Sequence, residues 1–302
     1  RAGGQAMVVA DIVAASSDFA DFQAKVAALQ NPPVTTNAFV SVWATTAINE
    51  TITIPTQAGT FNAVVDWGDG TTETITSSTG FTHVYTDIDD YTISITGTFP
   101  NIYMNGSPSA SKLKRVTNLG TVGWTTLQSA FRSCSNLTDF TSGSTDTSAV
   151  SITNAMFYQC FSLVNVNISS LDITGASNIG SMFTQCTSLV SIDVSSFDTS
   201  SVTQMGNMFG ACNALTSIVG VEDWDITGLN STSGLTSFLT GGKMTTAQYD
   251  NLLIKWEAQS EFSGMSPSFG ASTYTSGGTA AAARAAMLTT GRYSAINDGG
   301  IA

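Results

Sequence analysis

Apolar positions recur along this chain with several distinct spacings, and each spacing predicts a different element. Val8, Ile12, Ala15, Phe19, Phe22, Val26 and Leu29 alternate steps of four and three, a heptad seam that ends at Pro32-Pro33. This predicts a helical N-terminal segment over 1–37, either a self-associating coiled coil or one amphipathic helix docked on its own chain. From Ala38 the spacing changes to two, in runs such as AFVSVW, ETITIP, FNAVVDW, TTETIT and YTISITGTF. Such runs predict short strands, and Asp69-Gly70 between two of them is a hairpin turn. A small antiparallel β-sandwich over 38–104 is expected.

A 26-residue period then takes over. Phe131, Phe157, Phe183 and Phe209 stand 26 apart, as do Cys134, Cys160, Cys186, Cys212 and Leu137, Leu163, Leu189, Leu215. The second half of each unit alternates like a strand with its apolar side inward, and the first half, such as Gly206 to Leu215, suits one or two short helical turns. Adding a divergent unit at Leu113, Val116 and Leu119, the spacing predicts a leucine-rich-repeat solenoid of about five coils over 105–242. Beyond it, Tyr249, Leu252, Leu253 and Trp256 share one face of a helix over Thr245 to Gln259, and TAAAARAAMLTTG reads as a second helix ending at Gly291. Residues 243–302 are therefore expected to form an α/β cap. The whole chain is expected to be mainly β and multidomain.

The motifs MFTQCTSLVSIDVSSFDTSSVTQM and MFYQCFSLVNVNISSLDIT resemble the BspA-like leucine-rich repeat family of bacterial surface proteins. That resemblance spans about Leu113 to Thr240 and implies surface exposure and binding rather than catalysis. The stretch containing WGDG, HVY and YTI is similar to polycystic-kidney-disease (PKD) type domains, which implies an immunoglobulin-like spacer or binding unit. The helix, loop, helix, strand tail resembles caps of repeat proteins on phage virions and bacterial surfaces.

Composition narrows the function. The chain of 302 residues carries 22 Asp and Glu against 10 Lys and Arg, a net charge of −12, and between Ser133 and Gly242 it has neither Lys nor Arg. Phosphate neutralisation needs those cations, so nucleic-acid binding by that region is excluded. The apolar run Ala6 to Ala15 is broken by Asp11 and falls short of the roughly 18 residues that span a bilayer, so no membrane span is expected. Because the chain opens on Arg1, its compartment is inferred indirectly, from the resemblances, as an extracellular surface.

Candidate catalytic chemistry is sparse. His83 is the one histidine, and GxSxG, GxxxxGK[ST], HExxH and CxxC are all missing. The four cysteines admit a metal site or two disulfides, but sharing one period with core Phe and Leu points to small buried hydrophobes. Asp146, Asp172 and Asp198 read as turn formers rather than a calcium ladder. His83 reads as a histidine bonded within the sandwich. Asp66, Asp69, Asp87, Asp89 and Asp90 offer oxygens to Ca²⁺, but their spacing matches no EF-hand loop. No cofactor and no metal is expected.

Alternation places two columns of short polar side chains outward: Asp139, Asn165, Ser191 and Ser217 in one, Thr141, Asn167 and Asp193 in the other. These are the candidate binding residues for a cell-surface glycan or protein. A non-enzymatic surface protein follows, either a phage fibre or decoration protein or a bacterial adhesin; the alternative is a carbohydrate-active enzyme with paired carboxylates. If the heptad seam self-associates, deleting residues 1–33 converts an oligomer to a monomer in light scattering, whereas an unchanged mass favours the docked helix.

Overall fold

The computed structural model describes residues 37–259 and 263–302. The heptad segment and the self-association expected of it lie outside the described residues. Residues Asn37–Ala302 form one compact unit, with thirteen strands and two α-helices among the described residues.

The first strands behave as their alternation predicts. β1 (Phe39–Ala44), β3 (Asn62–Asp66), β4 (Thr72–Ile75) and β6 (Asp90–Thr98) pair antiparallel, and β2 (Glu50–Thr53) pairs with β5 (Thr82–Tyr85) in a second small sheet. The β3–β4 turn closes through Trp67 N–H to Thr71 O at 3.0 Å and Gly68 N–H to Asp66 Oδ1 at 2.9 Å. Gly68 has φ +80°, and a Cβ there would strike the Thr92 carbonyl, so only glycine serves at that corner.

The expected multidomain arrangement, a β-sandwich followed by a separate leucine-rich-repeat solenoid, is corrected by the next strand. β7 (Leu113–Asn118) runs antiparallel to β1 on one edge and parallel to β8 (Asp139–Thr141) on the other, and β8 pairs with β9 (Asn165–Asn167). One mixed seven-stranded sheet results, in the order β4-β3-β6-β1-β7-β8-β9. A strand has two edges with unpaired N–H and C=O groups, and β7 satisfies both by joining the two regions. The core is likewise continuous: Phe39 and Phe99 pack on Trp124 with ring centroids 5.6 and 5.5 Å apart. β10 (Ser191–Asp193) and β11 (Ser217–Val219) form a separate parallel pair.

The 26-residue period becomes a stack of chain turns. Phe131, Phe157, Phe183 and Phe209 stack with centroid separations of 5.7, 5.2 and 5.6 Å. The first half of each unit is not helical, contrary to the sequence expectation. Ser129, Ser133, Ala155, Gln159, Ser181, Gln185, Asn207 and Ala211 have φ between 52° and 63°, two per turn and four residues apart. Two left-handed residues four apart therefore bracket each turn, and three N–H groups within it point to the next turn. Ala155, Phe157 and Gln159 thus donate to Gly180, Met182 and Thr184 carbonyls at 3.0, 2.8 and 2.9 Å, and the neighbouring turns repeat the pattern. Left-handed non-glycine residues cost about 1–2 kcal/mol each. A net hydrogen bond returns only about 0.5–1.5 kcal/mol, so the bonds no more than offset the strain and burial of the Phe, Cys and Leu columns decides stability.

All four cysteines are buried free thiols. Cys160, Cys186 and Cys212 donate Sγ–H to the Phe131, Phe157 and Phe183 carbonyls at 3.1, 3.2 and 2.9 Å, a bridging bond that their core position alone did not reveal. Burial pushes every one of these thiols up, Cys212 to about 12.

The C-terminal helices fall where their apolar spacing puts them. α1 (Thr246–Glu257) starts with a Thr245/Gln248 capping box and buries Tyr249, Leu252, Leu253 and Trp256. α2 (Thr279–Thr289) buries Ala280, Ala283 and Met287. β12 (Thr273–Tyr274) and β13 (Gly300–Ile301) pair in parallel. Asp298 ties these parts together, accepting from Tyr249 Oη at 2.6 Å and Arg284 Nε at 2.7 Å. No helix among the described residues is long and apolar enough to cross a membrane.

Two outcomes follow. Phe183→Ala, which empties the middle of the ring stack, is expected to cost about 3–5 kcal/mol in denaturant unfolding. Thiol reagent is expected to modify the native protein negligibly and all four cysteines after unfolding; rapid native labelling would contradict the buried stack.

Candidate functional site

Between successive turns of chain the strand side is held by a repeated pair of backbone bonds. Val164 N–H donates to Thr138 O at 3.0 Å and Thr216 N–H to Val190 O at 2.9 Å; Ser142 N–H donates to Asn167 O and Val194 N–H to Val219 O, both at 2.9 Å. At the β9–β10 step the counterparts would be Val190 N–H to Val164 O and Ile168 N–H to Asp193 O, and neither forms among the described residues. The opposite edge stays shut through Ala155, Phe157 and Gln159. The stack is therefore wedged open on one side.

Side chains give the reason. At closed steps Thr hydroxyls bridge the turns: Thr216 Oγ1 donates to Val190 O at 3.3 Å, Thr147 Oγ1 to Asp172 O at 2.9 Å, and Thr199 Oγ1 to Asp225 O at 2.9 Å. At the open step the position equivalent to Thr147 and Thr199 carries Ile173, which has no hydroxyl, whereas Val190 matches Val164, whose N–H still closes the β8–β9 step. The one hydroxyl bridge present on both sides, from Thr147 and from Thr199, is lost here.

The opening is a shallow groove of about 390 Å³. Its lining includes six of the seven candidate residues, Asp139, Thr141, Asn165, Asn167, Ser191 and Asp193, over an apolar floor of Phe140, Val166 and Ile192. Ser217 is not among them, since its hydroxyl accepts from Gln248 Nε2 of α1 at 2.9 Å. Exposed Val164 at its wall and Val190 at the open step, 47% and 51% accessible, were not foreseen as candidates.

The polar groups are pre-oriented. Asp139 accepts from Thr138 Oγ1 at 2.5 Å and Asn165 Nδ2 at 2.6 Å, and these bonds hold its carboxyl below the usual carboxylate range. Asn167 Oδ1 accepts from Ser169 Oγ at 2.8 Å, and Asp193 Oδ1 from Ser195 N–H at 2.9 Å and Oγ at 2.6 Å. The Ser195 hydroxyl first and its N–H second lower the Asp193 carboxyl. Asp146, Asp172 and Asp198 act the same way at the next corner, each accepting from the N–H two residues on. Among the described residues no group of three or more His, Cys, Asp or Glu is placed to hold a metal.

His83 is built into the β2–β5 layer. Its Nε2 meets Asp69 Oδ2 at 2.7 Å, and its ring stacks on Trp67 at 5.0 Å. Tyr85 Oη donates to Trp67 O at 2.8 Å, completing a structural cluster around the WGDG turn.

A larger cleft of about 630 Å³ lies elsewhere, at the ends of β1, β6 and β7. Lys112 pairs with Glu50, and Lys114 pairs with Asp90 at 2.9 Å. The Lys112 ammonium first, then the Thr46 N–H, lower the Glu50 carboxyl from 4.5 to about 2. The cleft has the greater volume, but the groove is where the strand ladder fails and the candidate residues converge. Sequence reading missed the cleft because its walls come from positions as far apart as Glu50 and Lys112, brought together only by folding.

Residues 125–251 are similar to a family described as a Mycoplasma protein of unknown function, DUF285. No curated protein and no solved structure matches the chain.

The lowered Glu50 gives a pH prediction. Its carboxyl is ionised more readily in the folded than in the unfolded chain, so its contribution is complete above pH 4.5 and is lost as pH falls towards about 2. Lys112→Met should flatten the acid limb of a stability–pH profile over that window; an unchanged limb would remove this pair from the account of acid stability.

Proposed function

We propose that this is a non-enzymatic recognition protein of an extracellular surface, virion or bacterial, whose β9–β10 groove binds a glycan or a protein partner. The observation that carries the reading is the coincidence of the single open strand step with the pre-oriented polar columns. Short Asn, Ser and Thr side chains lose little entropy on ordering and both donate and accept, which suits sugar hydroxyls or a partner's polar backbone. Phe140, Val166 and Ile192 supply an apolar floor, and Val164 and Val190 add exposed apolar area. Hot-spot residues such as Trp and Arg do not line the groove, so affinity per chain is weak and gains from multivalent display, as on a fibre or a cell surface. The resemblance of the 26-residue motif to BspA-like surface proteins points to the same setting.

The carbohydrate-active alternative fares worse. Asp139 and Asp193 stand two strand steps apart, roughly 9.6 Å or more, beyond the spacing for a retaining pair and at the limit for an inverting one. Glycoside cleavage also needs one carboxyl kept protonated by a raised pKa, whereas both of these are lowered.

Two variants test the reading. Thr141→Ala/Asn165→Ala/Ser191→Ala removes groove groups while keeping the Asn167 and Asp193 turns, and should reduce whole-cell or glycan-array binding at least tenfold at an unchanged melting temperature. Ile173→Thr supplies the bridging hydroxyl that Thr147 and Thr199 carry and should narrow the groove, weakening binding. Full binding by both folded variants would move the site away from the groove.

A further inference from the structure

The cleft at the ends of β1, β6 and β7 is independent of the groove and is organised differently. Its floor is the Lys112–Glu50 pair, whose side chains are only 15% and 19% exposed, and its rim is the Lys114–Asp90 pair at 43% and 40%. Glu50 is fixed in place: Oε2 accepts from Thr46 N–H at 2.5 Å and Ala47 N–H at 3.2 Å, leaving Oε1 to Lys112. Asn136 donates Nδ2 to the Ser111 carbonyl at 2.7 Å, which turns its amide and leaves Oδ1 as an acceptor. Asp89 uses Oδ1 on the Asp90 N–H at 2.8 Å and keeps its second oxygen. Ile88, 59% exposed, adds an apolar edge to the lining.

Charge and hydrogen-bonding capacity select the ligand. Glu50, Asp89 and Asp90 against Lys112 and Lys114 give the lining a formal charge of −1, so an anion meets net repulsion. A cation must compete with two ammonium groups already seated on the carboxylates. What remains is a close interleaving of donors, the spare N–H groups of Lys112 and Lys114, with acceptors on Asp89, Asp90 and Asn136. A neutral molecule whose adjacent groups each donate and accept satisfies both sets without separating either ion pair. Vicinal hydroxyls have that property, and the C–H face of a pyranose ring suits Ile88. The volume of about 630 Å³ lies in the range of small-molecule sites, about 300–1,000 Å³.

We propose that this cleft is a binding site for a neutral saccharide, held by its vicinal hydroxyls between the Lys112–Glu50 and Lys114–Asp90 pairs. The test is a backbone amide NMR titration of the whole chain with methyl α-mannopyranoside, methyl β-galactopyranoside and cellobiose, each to about 50 mM because millimolar affinity is expected. Sodium glucuronate and choline chloride serve as charged comparisons. At least one neutral sugar should shift the Thr46, Asp90 and Lys112 amides saturably. Lys114→Met, which keeps the aliphatic stem, should weaken that response about tenfold. The Thr141→Ala/Asn165→Ala/Ser191→Ala variant should leave it intact, since groove and cleft are separate. Absence of saturation with all three neutral sugars, a stronger response to glucuronate or choline, or full affinity in Lys114→Met would overturn the proposal. None of those results alters cell binding through the groove, which the groove variants read on their own.

Discussion

Everything in this molecule depends on β7 being hydrogen-bonded on both edges. Through its antiparallel edge it inherits the twist and burial of β1, and through its parallel edge it offers a template on which the first 26-residue turn is laid. A stacked turn of chain cannot bury its apolar face alone, and a strand edge left bare invites pairing with another chain. β7 answers both needs at one end of the stack, while α1 and its capping residues engage the last turns at the other, through Gln248 on Ser217 and Lys243 N–H on the Leu215 carbonyl. The result is one core from Phe39 to Trp256 instead of two separate ones.

Within that frame the two sides of the stack obey different rules. The Phe side closes at every step, because a pair of left-handed residues four apart shapes each turn so that three N–H groups aim at the next turn, and the ring stack rewards their approach. On the strand side, the steps flanking the groove each carry a hydroxyl bridge, from Thr147 and from Thr199. Ile173 lacks that bridge at one step, and a groove opens there while the Phe side holds the turns together. Burial is thus concentrated on the Phe side of the stack, away from the groove.

How much of this was legible in the sequence differs from part to part, for physical reasons. The Phe, Cys and Leu columns were plain, since a side chain that must meet its copy one turn later repeats at a fixed interval. The WGDG hairpin and the apolar face of α1 were legible because they depend on local geometry alone. The left-handed residues were not, because Ser, Ala and Gln are not residue types that announce a positive φ. The β1–β7 pairing was hidden as well: Leu113, Val116 and Leu119 read equally as a divergent repeat unit, and nothing local says that a strand has a partner on its far edge. For the groove, alternation turned the polar columns outward, yet the opening itself coincides with Ile173 standing where Thr147 and Thr199 stand in the flanking turns. That substitution was visible, but its meaning required knowing which hydroxyl reached which carbonyl.

The claim most exposed to experiment is that the strand ladder opens at the β9–β10 step and nowhere beside it. Residue-resolved amide hydrogen exchange reads this directly, because protection follows the hydrogen bond each N–H makes. With the ladder open, the Val190 and Ile168 amides exchange far faster than their counterparts Thr216 and Val194, while Phe157 and Phe183 on the other side of the stack remain protected. Protection of Val190 and Ile168 equal to that of Thr216 and Val194 would close the step, and with it the groove proposed for recognition.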